Sequence, residues 1–90
     1  MRDVPPLTAE TEARIVLLFA PEDRAAVQRI LLEECGNNLP FLGKADSIAM
    51  DRVRLAVLKL SGGDLEKLRA VIQLAKTDWR DVLVAAEAAN

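Results

Sequence analysis

Histidine and tyrosine are absent from this 90-residue chain, and cysteine occurs once. Those residue types supply most of the general acids, bases and nucleophiles that work near neutral pH, so their scarcity argues against an enzyme. With no histidine and a single cysteine, a zinc site would have to be built from carboxylates alone. Acidic neighbours such as Glu33 and Glu34 point to different faces of a helix, so no metal or other cofactor is expected. The lone Cys35 also excludes an internal disulfide, and nothing points to an oxidising compartment.

Aromatic residues make up only 3% of the chain. A core must therefore come from Leu, Ile, Val and Ala, which favours helices. The longest apolar run, Ile15 to Ala20, falls far short of the ~20 residues that span a bilayer. The opening stretch "MRDVPPL" has neither the apolar segment nor the cleavage site of a signal peptide, so a cytoplasmic location is expected. A strong charge of either sign is missing too. The 12 basic and 14 acidic residues give a net charge of -2, which offers no field to draw in nucleic acid or anionic lipid.

What the chain does contain is 51% hydrophobic and 29% charged residues, the balance of a globular domain. The charges alternate in sign in "EDR", "DRVR", "EKLR" and "DWRD", as on solvated helix faces. Residues 1–8 are expected to be extended, with Pro5 and Pro6 setting the backbone, and 9–90 to form a single helical domain. Thr8 is placed to cap a first helix over about 9–19, whose apolar second half "IVLLFA" reads as buried all round. Pro21 suits the first turn of a second helix, about 21–35, closed by Gly36. The stretch 36–46 reads as the one long loop, with Leu39, Phe41 and Leu42 folding back as a plug.

A third helix, about 47–60, places Ala49, Met50, Val53, Ala56, Val57 and Leu60 on one face, with Asp51, Arg52, Arg54 and Lys59 opposite. "LSGGDL" raises the possibility of a phosphate-binding loop. Such a loop needs a preceding strand and a Lys-Ser or Lys-Thr after the glycines, and both are missing. Gly62 is expected instead to turn the chain in a left-handed conformation, with Asp64 capping a fourth helix over about 65–76. Thr77 or Asp78 then starts a fifth, about 78–89, with Trp79, Val82, Leu83 and Ala86 on its apolar stripe. The fold class is all-α, a compact bundle of four to five short helices.

Two resemblances bear on function. Asp46, Ser47 and Ile48 in "KADSIAMDRV" resemble the Asp-Ser-Leu motif of acyl carrier proteins, which implies a phosphopantetheine arm on Ser47. The match covers those residues alone, Ile stands in place of Leu, and Arg52, Arg54 and Lys59 lie on a helix that is acidic in that family. Asp and Ser at a helix start are also ordinary capping residues. "CGNNLPF" and "RLAVLKLSGGDLEKLRAVIQLAKTDWRDVLVAA" are similar to short bacterial helical proteins ending in an Asp-Trp-Arg-Asp segment. That resemblance implies a bacterial, cytoplasmic protein and carries no activity.

The positive hint comes from apolar residues outside the main stripes: Leu32, Ile48, Leu55 and Leu74. Together they suggest a face for another copy, hence a non-catalytic interaction module that forms a homo-oligomer. The alternatives are a carrier modified at Ser47 and a helix-turn-helix nucleic-acid binder using Arg52, Arg54 and Lys59.

Overall fold

The computed structural model describes residues 6–35 and 47–89, with side chains in the second stretch described from Met50 onward. The expected plug over 36–46, the capping roles of Gly36, Asp46 and Ser47, and the side chain of Ile48 lie outside the described residues. Four helices occur among those described: α1 (Ala9–Leu18), α2 (Pro21–Glu34), α3 (Ser47–Ser61) and α4 (Leu65–Ala88). There are no strands among them, and the all-α bundle is as expected.

Local chemistry sets the ends of these helices. The Thr8 hydroxyl accepts from the Thr11 amide at 3.2 Å and starts α1. Pro21 occupies the first turn of α2, where its missing N–H costs nothing. Arg24 reaches back from α2, donating from Nε to the Phe19 carbonyl at 3.1 Å and from Nη2 to the Val16 carbonyl at 3.0 Å. A cation on the terminal carbonyls of α1 suits the negative end of that helix and locks the α1–α2 corner. Between α3 and α4, Gly62 and Gly63 both adopt positive φ, 60° and 88°. The Asp64 carboxylate then accepts from the Glu66 and Lys67 amides and opens α4.

The two last helices expected from the sequence are continuous, but α4 breaks at Asp78, where φ is -156° and ψ 97°. The Asp78 carboxylate accepts from the Arg80 amide at 3.1 Å, so it caps the second half of α4 as an N-cap would. The break redirects the chain. A straight α4 running antiparallel to α3 would carry Leu83 about 27 Å from its start, past the ~22 Å length of α3. Yet Leu83, Ala86 and Glu87 line one groove with Leu55, Ala56 and Lys59 from the second half of α3. The second half of α4 therefore turns back over α3.

The core joins all four helices through Ile15, Phe19, Val27, Leu31, Val57, Leu58, Leu68, Ile72 and Val82, each at most 3% exposed. Trp79 is half-buried against this cluster, with the Arg80 guanidinium 5.5 Å from its ring centre. α3 is the central element, covered by α1 on one side and by α4 over most of its length.

That central position corrects the expected split of α3. Arg54 is not on a solvated face with Arg52 and Lys59: it is 1% exposed. Leu58 is fully buried as well, although it lies outside the expected apolar stripe. A helix covered on two flanks buries a sector wider than one stripe, and residues 54 and 58, one turn apart, fall inside it. A second correction concerns "IVLLFA". Ile15 and Phe19 are buried, whereas Val16 is 53% and Leu17 73% exposed. α1 is a surface helix that packs one face only.

Candidate docking groove

Two features stand out beside the core: a polar assembly around Arg54, and an open groove on the far side of α3.

Arg54 donates from Nε to the Cys35 carbonyl at 2.9 Å and from Nη1 to the Pro6 carbonyl at 3.3 Å. It thereby connects the end of α2 and the segment before α1 to the middle of α3. Beside it, the Thr8 and Thr11 hydroxyls both donate to one Asp51 carboxylate oxygen, at 2.8 and 2.7 Å. These bonds hold the start of α1 against the first half of α3. Burial lowers the pKa of Arg54 from its usual value, while Cys35 and Asp51 act in the opposite direction.

Cys35 itself is fully buried at the end of α2, and burial pushes its thiol up to about 12 against the neighbouring charges of Arg54 and Lys76. It is a protonated packing residue at neutral pH, with no thiolate to act as a nucleophile. A pH signature follows from this. The folded pKa lies above the usual value of 9.0, so the unfolded chain ionises first as pH rises. The stabilisation from the protonated thiol is complete below pH 9.0 and is lost as pH climbs toward about 12. Urea midpoints measured across that range are expected to fall more steeply for the wild type than for Cys35→Ala. Equal slopes would show that the thiol reaches solvent in the folded protein.

The groove lies between α1, α3 and the returning half of α4, and encloses about 380 Å³. Leu55, Ala56, Leu83 and Ala86 supply its apolar surface. Glu10 and Arg14 stand on the α1 side, Arg52 and Lys59 on α3, and Glu87 on α4. The two most exposed large apolar side chains stand on two of the helices that form it. Leu17, 73% exposed, follows Arg14 by three residues and so continues the same side of α1. Val84, 63% exposed, sits between Leu83 and Glu87 on α4. A second, more polar cleft of about 530 Å³ separates α2 from the first half of α4. Arg29, Glu33, Arg69 and Gln73 line it above the buried Ile30 and Ile72, and Lys76 pairs with Glu34 in the same layer.

Of the residues singled out in the sequence, Leu55 is half-buried and lines the first groove. Leu32 is half-buried on α2, and Leu74 is 42% exposed on α4. Neither lines either depression, and Leu74 lies on a different flank of α4 from Arg69 and Gln73, which face α2. Leu17 and Val84 escaped the sequence reading, although a signal for Leu17 was present. Thr11, Ile15 and Leu18 set the inward phase of α1, and that phase turns Leu17 outward however apolar its neighbours are.

Neither depression brings together groups with evident reactivity, and no cluster of three or more His, Cys, Asp or Glu side chains suited to a metal occurs among the described residues. No helix among them is long and apolar enough to cross a membrane. Comparison with known proteins gives no match: no family model, no curated protein and no solved structure is similar to the chain.

Proposed function

We propose that this chain is a small, non-catalytic helical module whose role is to bind protein, and first of all another copy of itself. The observation that carries this is the exposure of large aliphatic side chains on α1 and α4. Leu17, Val84, Val16 and Leu74 are 73%, 63%, 53% and 42% exposed. Single surface leucines are ordinary, but four large aliphatic side chains in water, together with a groove lined by Leu55, Ala56, Leu83 and Ala86, leave apolar surface for a partner to cover. Burying them between subunits removes apolar area from water at about 25 cal/mol per Å². The nucleic-acid alternative loses one of its three cations, since Arg54 is buried among backbone carbonyls. The bacterial cytoplasm is part of the same proposal and rests on the resemblance of the stretch from about Cys35 to the C-terminus to short bacterial helical proteins.

Sedimentation velocity over a dilution series tests the reading. A species at a multiple of the 9.9 kDa chain mass that dissociates on dilution is the expected result. A bare monomer at every concentration up to the millimolar range would remove self-association as the function. Native mass spectrometry of the same sample reads the stoichiometry, and an added mass on Ser47 would favour the carrier alternative.

A further inference from the structure

We infer that Asp78 is a hinge through which two copies of this chain exchange the second half of α4, residues 79–88 of each copy packing on the α3 of the other. This rests on the self-association reading and specifies how the copies join.

The bend itself is the first argument. α4 runs from Leu65 to Ala88 without a glycine or a proline, and Asp78 alone inside it has non-helical dihedral angles. Of the usual causes of a sharp bend, what remains is a side chain entering the hydrogen-bond ladder, here the Asp78 carboxylate that accepts from the Arg80 amide at 3.1 Å. Nothing in the covalent chain requires the bend. It is held by that cap and by packing: Val82 and Ala86 are buried in the core cluster, with Trp79 and Leu83 partly buried against it. Straightened, α4 would be one 24-residue helix, in which amides after the hinge can bond to carbonyls before it.

The occupant follows from what straightening uncovers. Residues 79–88 would run on past the end of α3, leaving their apolar stripe of Trp79, Val82, Leu83 and Ala86 in water. The face of α3 at Leu55 and Ala56, which lines one groove with Leu83 and Ala86, would lose its cover at the same time. The surface that fits this stripe is the one it has just left, and a second opened copy presents that surface unchanged. Exchange remakes the contacts of the closed chain between two chains, so the two forms differ chiefly at the hinge. Because the exchange is reciprocal, it closes at two copies.

Substitution at the hinge tests this at an exposed position, away from the core. Asp78→Ala removes the cap and raises helix propensity, and both changes favour the straight form. The effect is expected to be about ten-fold per hinge, hence about 100-fold tighter dimerisation for the two hinges of a dimer. Asp78→Gly retains most of the capping preference and remains a poor helix former, so it is expected to stay within about three-fold of the wild-type dissociation constant. Unchanged or weaker dimerisation in Asp78→Ala, with helix content retained by circular dichroism, would overturn the hinge. Spin labels at Glu66→Cys and Glu87→Cys, both exposed on α4, read the shape of one helix when a Cys35→Ala chain carrying them is diluted into unlabelled protein. About 32 Å, the span of a straight helix between those positions, is expected in the dimer, and a shorter distance in the monomer. The same distance in both would overturn the exchange while leaving self-association standing. Wild-type and Asp78→Ala chains that both stay monomeric up to the millimolar range would remove both readings.

Discussion

Arg54→Ala is expected to destabilise the protein by about 3 to 5 kcal/mol, a large share of the total stability of a domain this size. The loss has two sources. The side chain is 1% exposed, so truncation leaves a cavity in the middle of α3. The Cys35 carbonyl, which now accepts from Nε at 2.9 Å, loses a charged donor in a place with little water to replace it. Arg54→Met separates the two contributions. It restores most of the volume without the donors, and burying a thioether costs less than burying a guanidinium, so Met is expected to recover about half of the loss. Arg54→Lys keeps the charge but cannot span both carbonyls, and is expected to fall closer to Ala than to wild type. Urea midpoints of the three variants give the order, and the thermal midpoint of Arg54→Ala should drop by about 12 °C or more. A change within ~0.5 kcal/mol for Ala, the range of ordinary surface substitutions, would mean that Arg54 is solvated in solution.

Gly63→Ala is the second large effect, and Gly62→Ala is its built-in control. Both glycines have positive φ, so either alanine bears the left-handed penalty of roughly 1 to 2 kcal/mol. The surroundings differ. A Cβ at Gly62 meets nothing within 4 Å, whereas a Cβ at Gly63 would stand 2.5 Å from the Leu18 carbonyl oxygen. That oxygen belongs to the backbone at the end of α1 and cannot swing aside. The turn must move away from α1, disturbing the contact between the α3–α4 connection and the α1–α2 corner. Gly63→Ala is therefore expected to cost about 3 kcal/mol or more and Gly62→Ala about 1 kcal/mol. Equal costs, measured by urea denaturation, would show that the close approach to Leu18 relaxes freely.

These two positions also show where reading from sequence succeeds and where it stops. "SGGDL" is legible as a turn because glycine is the residue that tolerates positive φ, and Asp64 is legible as a cap because its side chain bonds amides two and three residues ahead. The same local logic found Thr8 and Pro21, and offered Asp78 beside Thr77 as the cap where α4 breaks. What cannot be read there is that Gly63 lies against Leu18, a contact between residues far apart in sequence.

The candidate interface divides the same way. Leu55 could be singled out because it sits outside its helix's apolar stripe. Leu83 and Ala86 could not be matched to it, because they lie on another helix and meet the groove only once the second half of α4 turns back over α3. Arg54 is the sharpest case. Its neighbours Arg52 and Lys59 have the same formal charge and a similar pattern around them, and all three read as solvated. The choice among them was made by the coverage of α3 on two flanks, which is a property of packing.

The sequence by itself determined where the described helices run, the caps at Thr8 and Asp64 and the turn at Gly62 and Gly63, because caps, glycines and apolar periodicity act over a few residues. The tertiary structure alone decided which flanks of those helices stay wet, since burial depends on which elements lie alongside. That decision placed a charged residue in the core at 54 and left aliphatic ones on the surface at 17 and 84.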